Sequence, residues 1–376
     1  MTDHAAFADR FPRTAAVFEA GRAKGQHFGG TLAVSHRGEL ATFAAGTRGP
    51  DETQPMRIDD LLCWRSAGKP ITALVLLEWV AEESVDLDAP VADFVPEFGA
   101  GGKDAITLRH LLTHTSAMRS PVSGWPAVTP EAIWDRVKDA KLQAGATPGE
   151  RAAYDPVAAW LALGRVLAAA GIDLPQRVDA LFRDLRTASG GTNCDGVAFL
   201  GVDEQRYDRL AAADRLAPQF DTTADPPKPQ RLHEREACTR PSPGSSLHAT
   251  AADLARFYRH LLDRLRDSDP TLDAMTRRQR EGLFDDSFQH TVDFGLGVIV
   301  NSARYGAQTV PYGYGLHASE HTFGHGGAQC AIGFADPEHD LAVAWCLNGL
   351  CGEPRHNQRN RRLNTAVYED LEIAEV

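Results

Sequence analysis

The tetrapeptide Ser66-Ala67-Gly68-Lys69 places a hydroxyl and an amine three residues apart, ahead of Pro70 and an apolar run. On a helix this spacing sets the two side chains one turn apart on the same face. A serine becomes a nucleophile only when a base takes its proton, and a nearby lysine serves where no histidine does. The pair alone is a common pattern that also marks a solvated helix start, so it needs support from elsewhere in the chain. His317, His321 and His325 recur every four residues, as metal ligands on one helix face do. Gly324, Gly326 and Gly327 argue against a helix there, and neither a metal nor a cofactor is expected. Cys63 is read as a packing residue rather than a nucleophile, and Trp64 as core. Arg65 is expected to pair with one of the many carboxylates. His110 and His114 are read as packed or hydrogen-bonded helix-end residues.

The nucleophile depends on the helix that carries it. Ile71, Leu74, Val75 and Trp79 predict a helix over 70–82, and Pro70 suits its first turn. Ser66 then lies at the N-terminal end, where free N–H groups favour a developing negative charge. Upstream, 7–24 reads as a helix with Phe7, Phe11, Ala15, Val17 and Phe18 among its apolar positions. A hairpin follows, 31–36 and 39–45, turning at Arg37-Gly38. From about Asp86 to Leu185 the pattern is helical, with Thr107 capping a helix over 108–113 and Pro156 opening another through Ala170. The proline-rich stretch 203–246 reads as a long loop. Thr250 and Asp253 form a capping box for a helix through Leu262. Strands return at 294–301, 330–335 and 341–347, the last two joined by the turn Asp336-Pro337-Glu338-His339. The expected class is α+β. Both termini complete an antiparallel sheet flanked by helices (an α/β part, approximately 1–85 and 247–376) around an all-α insert, approximately 86–246.

Composition narrows the function. The 376 residues are 43% hydrophobic and 24% charged, with a net charge of −12. An acidic chain without basic runs argues against nucleic acid or an anionic membrane as main partner. No apolar stretch approaches the roughly 20 residues of a membrane span. The first 25 residues mix acids and bases without the layout of a signal peptide, so a cytoplasmic location is expected. Cys63, Cys194, Cys238, Cys330, Cys346 and Cys351 contain no C-x-x-C pair and are read as reduced, mostly buried thiols.

Five segments together resemble the serine β-lactamase and penicillin-binding-protein-like superfamily, in its class C and esterase branch. They are Ser66-Ala67-Gly68-Lys69; Ile106-Thr107-Leu108-Arg109-His110-Leu111-Leu112-Thr113-His114-Thr115-Ser116; Pro148-Gly149-Glu150-Arg151 leading to Tyr154; Phe323-Gly324-His325-Gly326-Gly327; and Ile332-Gly333-Phe334-Ala335-Asp336-Pro337. The resemblance implies a β-lactamase/transpeptidase-like fold with the site between the α/β part and the insert. It implies Ser66 as nucleophile, Lys69 as its base and Tyr154 as proton relay. His325 stands where β-lactamases carry lysine and many esterases histidine. The backbone N–H groups of Ser66 and Ala328 are implied as the oxyanion hole.

The sequence departs from the family twice. Tyr154-Asp155-Pro156 lacks the asparagine of the usual Tyr-x-Asn, whose amide grips a β-lactam side chain. His325 removes the lysine that binds the penicillin carboxylate. The resemblance therefore implies a serine hydrolase acting on an ester or amide of a small molecule, not a true β-lactamase. A biosynthetic acyltransferase using the same nucleophile, and a catalytically weak binding protein on the same fold, are the alternatives. The loop 203–246 and the segment 120–130 are expected to shape the cleft mouth. Oligomeric state stays open.

Overall fold

Arg37 and Gly38 both take positive φ, 50° and 84°, which matches the twist of the strands they join. They connect Gly29–His36 to Glu39–Gly46. This hairpin is then extended by the far end of the chain. Gly29–His36 runs antiparallel to Leu341–Leu347, with Gly30 opposite Leu347 and His36 opposite Leu341. The sheet has six strands in the order 39–46, 29–36, 341–347, 331–336, 323–327, 299–300, all antiparallel. The computed structural model describes residues 4–190 and 198–373, and Cys194 lies outside them.

Alternation along the strands sorts side chains by size. Leu32, Val34, Phe43, Val343 and Trp345 face one side, where they meet Phe11, Phe18, Leu363 and Tyr368 from the terminal helices. Ala33, Ala342, Ala344 and Cys346 face the other, where small side chains let Ala251–Arg266 lie close to the sheet. Helix Lys69–Glu82 is buried on almost every side within that second core. Such burial of a mostly apolar helix stabilises by roughly 1.5–3 kcal/mol per large side chain, and it fixes Ser66 and Lys69 rigidly.

The antiparallel sheet completed by both termini is as expected, and so are the hairpins and both capped helices. Thr107 and Thr250 each make the reciprocal capping pattern, with His110 and Asp253. Four expectations need correction. Residues 7–24 are two helices, His4–Arg10 and Pro12–Ala23, because Pro12 cannot continue the first. The stretch 203–246 is not a loop. It holds helices Glu204–Ala212 and Arg235–Thr239 and strands Gln219–Asp221 and Lys228–Gln230. Asp203 caps the first helix, and Gln219–Asp221 pairs with Gly349–Leu350 from the far end of the chain. The segment 86–246 is therefore not wholly helical. The expected strand 294–301 shrinks to Ile299–Val300, because Gly297 takes φ 77° and turns the chain. Glu353–Asp370 is a helix that was not anticipated. Among the described residues no single helix is long and apolar enough to cross a membrane.

Candidate active site

Ser66 lies in the 3-10 turn Arg65–Gly68, which feeds directly into helix Lys69–Glu82. Trp64 anchors the turn. Fully buried, it donates its backbone N–H to Leu247 O at 2.8 Å and its indole N–H to Ala249 O at 2.9 Å.

The Lys69 ammonium makes three hydrogen bonds: to Ser66 Oγ at 3.0 Å, to Pro156 O at 2.9 Å and to Gly244 O at 2.8 Å. Its burial disfavours the charged form and brings its pKa down to about 7, against a small opposing pull from Asp155. The two carbonyls can only accept. When Lys69 loses a proton, its two remaining N–H bonds are held by Pro156 and Gly244, and the lone pair turns to Ser66 Oγ. A glycine is required at 244, since a Cβ there would sit 2.7 Å from Trp160 Cγ and 2.9 Å from Lys69 Nζ.

Tyr154 reaches the same point from a loop. Its ring lies between His114, with centroids 4.6 Å apart, and Phe288, at 4.8 Å. Its hydroxyl lies near that of Ser66, and burial pushes its pKa well above the usual value. The backbone behind it is held at two points. Tyr154 N donates to Asp285 Oδ1 at 3.0 Å, and Asp155 N donates to His114 Nδ1 at 3.0 Å. The diagnostic run 106–116 thus supports the tyrosine loop: Ala153 N donates to His114 O and Gly149 N to Thr115 O. His114 is buried and held neutral by desolvation, consistent with a packed rather than a basic role. The carboxylate of Asp155 receives the N–H groups of Val157 and Ala158, so the next helix starts at Ala158, two residues beyond Pro156.

His325 comes from the sheet, on strand Phe323–Gly327 opposite Gly333. Since it lies on a strand, its spacing from His317 and His321 does not define a helix face. Its Nδ1–H donates to Gly326 O at 2.8 Å, which leaves Nε2 as a buried acceptor with no partner among the described residues. Burial and the nearby Lys69 bring its pKa down to about 3, so the ring is neutral. Its ring lies 5.8 Å from that of Tyr154. Strand 323–327 packs against the nucleophile turn, and Gly327 makes this possible: a Cβ there would lie 2.2 Å from Trp64 O. Among the described residues, neither the Ser66 nor the Ala328 backbone N–H donates to a backbone acceptor.

The structure therefore brings Ser66, Tyr154 and His325 together on a cavity of about 360 Å³, with Ala328 beside them and Lys69 fully buried behind Ser66. Phe288, Tyr312 and Glu353 are among the other residues of its wall. Sequence reasoning missed all three. Tyr312 donates its O–H to both carboxylate oxygens of Glu353, at 3.1 and 3.0 Å, and burial raises the Glu353 pKa. Asp285 was missed as well. Fully buried, it pairs with Arg280 at 3.0 Å and accepts from the N–H groups of Tyr154, Ser287 and Phe288. One expectation fails here. Arg65 has no carboxylate partner and no hydrogen bond among the described residues, and its Nε is buried.

This chain belongs to the Beta-lactamase family, whose model matches residues 14–367. It is 38% identical over 111 residues to the esterase EstB of Burkholderia gladioli, a match covering 28% of each chain, so it spans under a third of that relative's length. It is 27% identical over 310 residues to the esterase/beta-lactamase LipL of Mycobacterium tuberculosis (strain ATCC 25618 / H37Rv), covering 76% of this chain and 68% of that one. Among solved structures, a penicillin-binding protein homologue from Caulobacter crescentus superimposes with a TM-score of 0.71 at 25% identity, over 96% of this chain and 98% of the other.

Proposed function

We propose that the protein is a serine hydrolase that cleaves an ester or amide of a small molecule through an acyl-Ser66 intermediate. The observation that carries this reading is the Lys69 amine, brought to a pKa near 7 with its lone pair confined toward Ser66 Oγ at 3.0 Å. Neutral Lys69 takes the hydroxyl proton as Oγ attacks the carbonyl carbon. The oxyanion sits between the N–H groups of Ser66 and Ala328, donors worth roughly 3 kcal/mol each in such sites. As the intermediate collapses, the proton passes through Tyr154 to the departing oxygen or nitrogen. Water then attacks the acyl-serine with Lys69 and Tyr154 returning the proton to Oγ. His325 Nε2 serves as a hydrogen-bond acceptor beside Tyr154. In this reading the α/β part, approximately 1–85 and 247–376, supplies the nucleophile and His325. The insert, approximately 86–246, supplies Tyr154.

An ordinary ester or amide suits the cleft better than a β-lactam. Pro156 offers no side-chain amide, neutral His325 no cation, and Glu353 places a carboxyl group on the wall. The esterases among the relatives support the same class of substrate. The cytoplasm is the compartment we propose, since the five described thiols, all buried and unbridged, persist most readily in a reducing environment. The test is turnover of a short-chain p-nitrophenyl ester by the wild type and by Ser66→Ala. Hydrolysis by the former alone is expected, and undiminished hydrolysis by Ser66→Ala overturns the reading.

A further inference from the structure

The geometry points to a second pocket beside the nucleophile that takes a carboxylate carried by the substrate. This inference rests on the acyl-Ser66 reading and adds the class of substrate to it. The pocket is a cavity of about 550 Å³, and Arg65, Arg231 and Arg240 are on its wall together with Trp125 and Glu236. Arg65 and Ser66 are consecutive, so one tight turn presents the nucleophile to one cavity and a guanidinium to the next.

Three independent features single out Arg65. Its backbone has φ 50°, a left-handed conformation that costs a non-glycine residue about 1–2 kcal/mol and persists only where the surroundings enforce it. Its Nε is buried without an acceptor, and buried donors are normally satisfied. It also lacks an ion-pair partner among the described residues, in a chain with 51 acidic side chains. Arg240 repeats the pattern more mildly. It donates to the carbonyls of Pro126 and Ala127, at 3.0 and 3.2 Å, and has no carboxylate partner among the described residues. Arg231 is already paired with Glu234 at 2.6 Å. Glu236 is the opposing charge on the wall, so Arg65 and Arg240 together leave a net positive site whose charge matches one carboxylate. A guanidinium holds a carboxylate through two parallel N–H···O bonds, and Trp125 supplies an apolar face for the linking carbons. Glu353 lies in the Ser66 cleft and not in this pocket. An anionic substrate is therefore drawn to the Arg65 side and repelled from the Glu353 side, which fixes the direction in which it lies across Ser66.

Two readouts test the proposal. The first is glutarate binding, by calorimetry, to wild type, Ser66→Ala, Arg65→Gln, Arg240→Gln and Arg65→Lys. Binding is expected in wild type and Ser66→Ala, weakened about tenfold or more in each Gln variant and partly restored in Arg65→Lys. The second is the ratio of kcat/KM for mono-p-nitrophenyl glutarate to that for p-nitrophenyl pentanoate. The ratio is expected to fall about tenfold in Arg240→Gln, with the change mainly in KM, and to fall with added salt in wild type. No glutarate binding to wild type, or binding and ratio unmoved in folded Arg65→Gln and Arg240→Gln, overturns the proposal. Glutarate binding that depends on both arginines, with no turnover of either ester, supports the pocket and counts against the hydrolase reading alone.

Discussion

The carbonyl of Pro156 accepts a hydrogen bond from the Lys69 amine at 2.9 Å. The residue that breaks the Tyr-x-Asn pattern thus remains in the site through its backbone, which no side-chain exchange removes. Pro156→Ala is expected to leave kcat for p-nitrophenyl acetate within about threefold of wild type, as an exposed substitution that keeps the carbonyl should. Gly244→Ala bears on the other carbonyl and is expected to lower kcat on the order of a hundredfold, since its Cβ would push against Lys69 and Trp160. Steady-state kinetics of the two variants check both outcomes.

The pH dependence follows from Lys69. Only its neutral form has a lone pair, so kcat/KM should rise with pH and level off above a midpoint near 7. His325, brought down to about 3, is neutral throughout and adds no limb above pH 5. Lys69→Arg, which cannot lose its proton, should abolish turnover across the whole range. A profile flat from pH 5 to 9 in wild type would remove Lys69 as the base.

The same shift governs stability, with a definite sign. The unfolded chain keeps the Lys69 proton to about pH 10.4, whereas the folded chain releases it near 7. Between these values the unfolded state binds more protons, so the contribution of this residue to stability rises with pH across that window. In urea unfolding, wild type should gain stability relative to Lys69→Met on moving from pH 7 to pH 9.

Tyr154 and its support should fail in different ways. Tyr154→Phe removes the proton relay and is expected to lower kcat more than it raises KM. Asp285→Ala leaves Arg280 buried without its partner and should cost about 3–5 kcal/mol of stability, read from urea unfolding. The double variant Arg280→Met/Asp285→Ala should recover part of that loss.

Features set by neighbours in sequence were legible before the structure. Ser66 and Lys69 declare themselves by spacing, Thr107 and Thr250 by their caps, and the strands at either end by alternation. What escaped is held by contacts far apart in the chain. Strand Gln219–Asp221 exists because Gly349–Leu350 pairs with it. Helix Glu353–Asp370 buries Asn360 and Asn364, which hydrogen-bond Gly313 O and the Trp345 indole, so no apolar stripe announced it. Asp285, Tyr312 and Glu353 reach the site only through the packing of segments far apart in the chain. Arg65 was expected to pair with a carboxylate, and only the structure shows that none among the described residues meets it.

The central claim is that Ser66 is a nucleophile activated by a nearly neutral lysine. The most direct test is intact-protein mass spectrometry after treatment with a serine-reactive fluorophosphonate, followed by peptide mapping and repeated from pH 5 to 9. The account predicts a single adduct, on Ser66, forming at a rate that rises through a midpoint near 7 and is lost in Lys69→Arg. A folded protein that takes no adduct, or takes it on another residue, would contradict it.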